Sequence, residues 1–185
     1  MSTLLGGRAS RAAYCALLRS LHAIYAELEL ALTRHEAQVV VAPVVLPALF
    51  RRSALEHDLT ALHGAAWRKD IPLPAAAARY AQHLARLAGE CPERLVAHAY
   101  VRYLGDLSGG QLLSRVVTRT LALSGGRGTE FYDFGDAERT RLLKDAFRRG
   151  LAAVPVDSAL QVELVEEAVR AFEMHAALFD ELAAC

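Results

Sequence analysis

The residues best equipped for chemistry lie in the run YVRYLGDLSGGQLLSRVV, which begins at Tyr100. Apolar spacing around this run predicts a helix, yet it contains Gly105, Gly109 and Gly110. Each glycine costs a helix roughly 1 kcal/mol relative to alanine. Gly105 and Gly109 are four residues apart, so they share one face and leave a strip of bare backbone. Such a strip suits close packing of a second helix or close approach of a planar cofactor. Asp106 lies beside the strip, where a carboxylate is poorly placed against a packed helix, and this favours the cofactor. A positioned carboxylate can hold or relay a proton through water. Arg102, one turn earlier, can reach Asp106, as it could in an ordinary surface ion pair. Ser108-Gly109-Gly110 is also a candidate kink.

Other candidates stand on other segments. Lys144 and Arg148 are four apart with Arg141 on the same flank, which on spacing alone reads as a solvated cationic face. Tyr25 by itself reads as a core tyrosine whose hydroxyl is satisfied by a neighbour. The three cysteines, Cys15, Cys91 and Cys185, are odd in number and widely spaced. They fit neither a disulfide framework nor a zinc site, and a reducing cytoplasm is the expected compartment.

The elements that must position these groups are all helical. Alternating apolar–polar runs are nearly absent, and apolar residues recur at helical spacing. Ser10 caps a first helix to about Arg34, with Leu17, Leu18, Leu21, Tyr25, Leu28 and Leu32 as its apolar stripe. A proline-broken crossing, HEAQVVVAPVVLP, follows. Pro47 suits the start of a second helix to about Leu62. Pro74 opens a third that Gly89 ends, and Pro92 opens a fourth, the longest, to about Leu123. A loop, Ser124 to Gly128, precedes an irregular stretch carrying Phe131, Tyr132 and Phe134. Asp136 caps a fifth helix to about Val154, and Asp157 or Ser158 caps the last. The stripe of that last helix reads Leu164, Ala168, Phe172, Ala176 and Phe179.

Composition agrees with one all-α domain spanning 1–185. The chain has 185 residues, is 54% hydrophobic and has a mean hydropathy of +0.19, enough for a sizeable core and against disorder. With 21 basic and 21 acidic residues the net charge is zero, which excludes bulk attraction to nucleic acid or an anionic membrane. The longest apolar stretch, Val39 to Phe50, is interrupted by Pro43 and Pro47 and is too short to cross a bilayer. Arg8 and Arg11 precede the run AAYCALL, but no small-residue cleavage site closes a signal peptide.

The segment HAYVRYLGDLSGGQ closely resembles the distal-helix signature of the heme oxygenases. AIYAELE, VVAPVVLP, RRSALEHDL and VEEAVRAF agree in order and spacing, and the likeness runs from about Gly7 to Leu182. The resemblance implies a multi-helix fold with a glycine-kinked distal helix and heme as both substrate and cofactor. It implies oxygen-dependent cleavage of heme to biliverdin, carbon monoxide and ferrous iron. Electrons would come from a ferredoxin or flavodoxin with its reductase, since no nucleotide-binding glycine motif is present.

By the same resemblance, Gly105 and Gly109 let the distal helix lie against the porphyrin, and Asp106 holds a water network with Arg102 and Tyr25 as partners. Lys144 and Arg148 meet the heme propionates, Tyr100 is a further contact there, and Phe172 and Phe179 wall the pocket. The family's iron-binding histidine belongs to a helix that would fall before Met1, and MSTLLGG is similar to the end of that helix. His175, between Phe172 and Phe179, is the substitute candidate. A chain without the ligand would be a heme-binding or regulatory relative rather than an enzyme, which is the alternative function.

Overall fold

The computed structural model describes residues 10–184. The MSTLLGG segment and Cys185 lie outside the described residues. Helix α1 runs Arg11–Arg34. Its start is set locally: the Ser10 hydroxyl accepts the Ala13 amide at 3.1 Å, satisfying one of the free N–H groups of the first turn. All six residues of its expected stripe, from Leu17 to Leu32, are buried.

The proline-broken crossing holds two 3-10 turns, Ala42–Val44 and Pro47–Leu49. The expected second helix starts later than Pro47, because Phe50 is extended and ends the turn. Helix α2 spans Arg52–His63. Its N-terminus is capped from outside: the Glu29 carboxylate, on α1, accepts the amides of Arg51 and Arg52. A cap supplied by another helix leaves no local signature in the sequence.

A short helix α3, Trp67–Asp70, was not foreseen. It buries Trp67, with the Arg68 guanidinium 4.3 Å and the Arg19 guanidinium 5.4 Å from the ring centroid. Helix α4 spans Ala75–Glu90 behind Pro74. A 3-10 turn, Pro92–Arg94, leads into α5, Leu95–Thr120. Helix α6 spans Ala137–Ala152 and α7 spans Ser158–Ala183. Asp136 and Asp157 cap them by accepting the amides of Arg139 and Leu160, each at 2.8 Å. At 26 residues α5 equals α7 in length rather than exceeding it. No strand occurs among the described residues.

Helix α1 packs along α4 and α2, and α5 packs along α7. Buried side chains from these helices, from α6 and from the 3-10 turns join one hydrophobic cluster, including Ile24, Leu28, Tyr80, Tyr103 and Phe147. Fully burying a side chain of the Leu or Phe size contributes about 1.5–3 kcal/mol. Helix α6 approaches the crossing so closely that a Cβ on Gly150 would clash with the Pro43 carbonyl oxygen.

The face of α7 differs from its expected stripe. Its buried residues are Glu167, Ala171, His175 and Leu178, while Phe172 is 59% exposed. Two polar side chains lie on the inward face because both find partners there: Glu167 with His83 and His98, and His175 with Arg102. The apolar residues Val162, Val165, Val169 and Phe172 are left on the exposed side.

Candidate functional site

Helix α5 carries the centre of the site. A Cβ built on Gly105 or on Gly109 meets nothing within 4 Å. The strip therefore faces open space, and the helix-packing use of these two glycines does not hold. Gly110 is the packing glycine of the set, with its Cβ position 3.6 Å from Tyr132. The strip floors a cavity of about 330 Å³. Leu17 and Leu21 of α1, Phe131 and Tyr132 of the irregular stretch, and Phe172 and Phe179 of α7 wall it. Arg102, Asp106 and His175 supply its polar edge.

These polar groups form one network. The Tyr25 hydroxyl, on fully buried Tyr25, donates to Asp106 Oδ2. Arg102 Nε donates to the Tyr25 oxygen at 3.0 Å, and its Nη2 reaches Asp106 Oδ1 at 3.3 Å. Arg102 Nη1 bonds His175 Nε2. The family resemblance groups Tyr25 with Arg102 and Asp106, and the structure brings the three into contact across α1 and α5. Tyr25 is also a core tyrosine, packed edge-on against Phe131 at 5.6 Å between ring centroids.

Burial sets the electrostatics. It raises the Asp106 pKa, against the Arg102 charge and the Tyr25 hydrogen bond. It raises Tyr25 well above the ordinary phenol value, so the hydroxyl keeps its proton and donates. Burial works against the Arg102 charge, but Tyr25, Asp106 and Tyr80 hold its pKa above the usual guanidinium value. Burial and then the Arg102 charge push His175 down to about 2, so its ring is neutral. A neutral ring beside a guanidinium accepts at Nε2, which places the proton on Nδ1.

The remaining expected residues divide. Lys144 Nζ donates to the Ser108 hydroxyl at 2.8 Å, which ties α6 to the glycine helix. Arg148 is exposed and lies outside the cavity lining, as does Tyr100. Tyr100 lines a neighbouring groove of about 460 Å³ that shares Phe172 with the cavity. His175 does line the cavity, but Nε2, its acceptor nitrogen, is occupied by Arg102. Ser108 as the partner of Lys144 and His175 as the partner of Arg102 were not foreseen, since both pairings span different helices.

The chain matches the heme oxygenase family model over residues 1–181. It is 34% identical to heme oxygenase 1 of Synechocystis sp. over 178 residues, covering 96% of this chain and 74% of that one. The chain belongs to the heme oxygenase family. Human heme oxygenase 1 is 38% identical over 178 residues, covering 95% of this chain and 62% of that protein. The fold agrees with solved structures of heme oxygenases. The heme oxygenase-2 structure from Synechocystis, in complex with heme and NO, superposes with a TM-score of 0.94 at 35% identity, over 98% of this chain and 76% of that one. Heme oxygenase from Leptospira interrogans gives 0.89 at 30% identity, over 97% and 87%. Membership in this family makes the chain an enzyme, with the open strip on α5 as the feature that fits a heme oxygenase. No described helix is long and apolar enough to cross a membrane.

Proposed function

We propose that this heme oxygenase takes heme over the Gly105–Gly109 strip and converts it, with dioxygen, to biliverdin, carbon monoxide and ferrous iron. The observation that carries this is the open space above the strip: helical glycines that nothing covers, flanked by apolar walls and a buried polar edge. These residues fit a flat, largely apolar ring with a polar reaction at one side. Bound there, the heme iron supplies the oxygen activation, and the ring is the substrate oxidised.

The side chains carry the rest of the mechanism. Gly105 and Gly109 admit the ring close to the helix backbone, which crowds whatever lies between and limits the direction of attack. Asp106 holds water beside the ring and relays protons through it. Its raised pKa suits a group that must take up and release a proton rather than remain a fixed anion. Arg102 and the Tyr25 hydroxyl position the carboxylate, and His175 positions Arg102. Lys144 and Arg148 meet the propionates and Tyr100 assists, setting the rotation of the ring and hence which meso carbon is opened. Phe172 and Phe179 pack against the ring. His175 Nε2, being engaged by Arg102, is assigned to the polar edge and not to the iron. Electrons come from a separate ferredoxin or flavodoxin with its reductase.

Asp106→Ala tests the proton role. Hemin turned over with a reductase system should yield biliverdin with the natural chain. The variant should bind hemin, lose at least about tenfold in biliverdin yield, and oxidise phenolic donors in the manner of a peroxidase. An unchanged biliverdin yield removes Asp106 from the reaction.

A further inference from the structure

A second cluster of ligating side chains lies outside the cavity lining, where α4, α5 and α7 meet. Glu167 Oε1, on α7, is 2.5 Å from His83 Nε2, on α4, and 3.0 Å from His98 Nε2, on α5. All three residues are buried, and one ligand atom from each lies within 4.8 Å of the others. Nothing in the heme reaction uses them. We propose that His83, His98 and Glu167 form a zinc-binding site at this three-helix junction.

The donor set selects the ion. Two imidazole nitrogens with one carboxylate suit zinc, whereas magnesium and calcium take oxygen ligands. Ligand atoms around a tetrahedral zinc at 2.0–2.2 Å stand about 3.3 Å apart. The present spacings reach that with shifts of roughly an ångström or less, so the three helices need not move apart. Three protein ligands leave a fourth position for water.

The outer contacts of the two rings also fit. Ligation at Nε2 requires each neutral imidazole to carry its proton on Nδ1. His98 Nδ1 lies 2.9 Å from the Tyr80 hydroxyl, which can accept that proton as readily as it now donates. His83 Nδ1 instead faces Arg86 Nη2 at 2.9 Å, and a guanidinium cannot accept. Arg86 must therefore swing away, which its exposed position allows. Other histidines pair with a single carboxylate, as His57 does with Glu130 and His63 with Asp70 at the surface. They serve as controls for adventitious binding.

The test uses the full chain, tag-free and stripped with a chelator. One equivalent of zinc sulfate is added, the protein is desalted, and retained metal is measured. Cobalt is titrated in parallel for the visible absorption of a tetrahedral site. One zinc should be retained per chain, a cobalt band should appear, and the thermal midpoint should rise with zinc and fall back with chelator. His83→Gln and Glu167→Gln should weaken zinc binding by at least about tenfold. The double variant His57→Gln/His63→Gln should retain zinc as the natural chain does. Absence of retained zinc and of the cobalt band, or retention unaltered in His83→Gln, overturns the proposal and leaves the cluster as a hydrogen-bonded clamp. The cobalt band needs no variant, so the outcome stands even where Glu167→Gln fails to fold.

Discussion

Asp106 is held between opposing influences: burial raises its pKa, and Arg102 and Tyr25 draw it back. Removing the Tyr25 hydroxyl should disturb this balance most directly. Tyr25→Phe leaves the packing against Phe131 but removes an acceptor for Arg102 and a donor to Asp106. A cost of about 1–3 kcal/mol in unfolding free energy is expected, measured by urea denaturation, with a loss of biliverdin yield that Tyr25→Phe shares with Asp106→Ala. Stability and yield both unchanged would show that the hydroxyl is idle.

Two other buried carboxylates give a pH signature. Burial raises Glu29 to about 7, against the pull of the Arg51 and Arg52 amides, and Asp58 to about 6, against the Phe131 and Glu130 amides. Both values lie above those of the unfolded chain, so the folded state holds these protons more tightly. Their contribution to stability is fully present below about pH 4 and is lost as pH rises through their folded values. Glu29→Gln keeps an acceptor oxygen for the α2 amides but cannot ionise. Between about pH 5 and about pH 8 its unfolding midpoint should fall less than that of the natural chain. Equal falls would remove Glu29 as the source.

The residues legible in the sequence were those inside one local motif. Arg102 and Asp106 are one helical turn apart, so their contact follows from spacing alone. The Arg102–His175 and Lys144–Ser108 contacts join different helices, and no spacing rule reaches them. The proton-relay and pocket-wall assignments rest on family likeness together with position in the cavity, whereas the propionate assignments of Lys144, Arg148 and Tyr100, which lie outside its lining, rest on family likeness alone.

At the scale of the element, helix ends set by nearby residues were readable, and those set by tertiary contacts were not. Ser10, Asp136 and Asp157 cap their own helices. Helix α2 is capped by Glu29 from α1, and its start at Arg52 rather than Pro47 follows from that. The stripe of α7 was misread because apolar periodicity assumes that the apolar face turns inward. Here the inward face carries Glu167 and His175, each hydrogen-bonded to a partner on α4 or α5. Gly150 shows how one element depends on another. Gly150→Ala would gain helix propensity, but its Cβ would meet a backbone oxygen that cannot rotate away. The overpacking should cost about 1–3 kcal/mol, read as a lower urea midpoint. A rise in midpoint would mean that α6 and the crossing separate freely.

Across the whole molecule, the glycine helix packs against α7, α1 and α6 but leaves its Gly105–Gly109 strip uncovered, as the floor of a cavity that α1 and α7 wall. This division was only half visible in the sequence, where small-residue spacing allows both helix packing and ligand approach and only Asp106 beside the strip favours the second. Because the net charge is zero, attraction of an anionic ring rests on local cations rather than on the overall field. Lys144→Ala/Arg148→Ala should weaken hemin binding by about tenfold or more and flatten its dependence on ionic strength. Unchanged affinity and salt dependence would place the propionates elsewhere.

Hemin titration of Gly105→Ala/Gly109→Ala, paired with its urea unfolding curve, tests the bare strip most directly. Each alanine has room in the protein without ligand and improves helix propensity, so stability should rise by up to about 1 kcal/mol per site. Hemin affinity should fall at the same time, because the added methyl groups stand where the ring must lie. A stabilised variant that binds hemin as tightly as the natural chain would contradict placement of the ring on this helix.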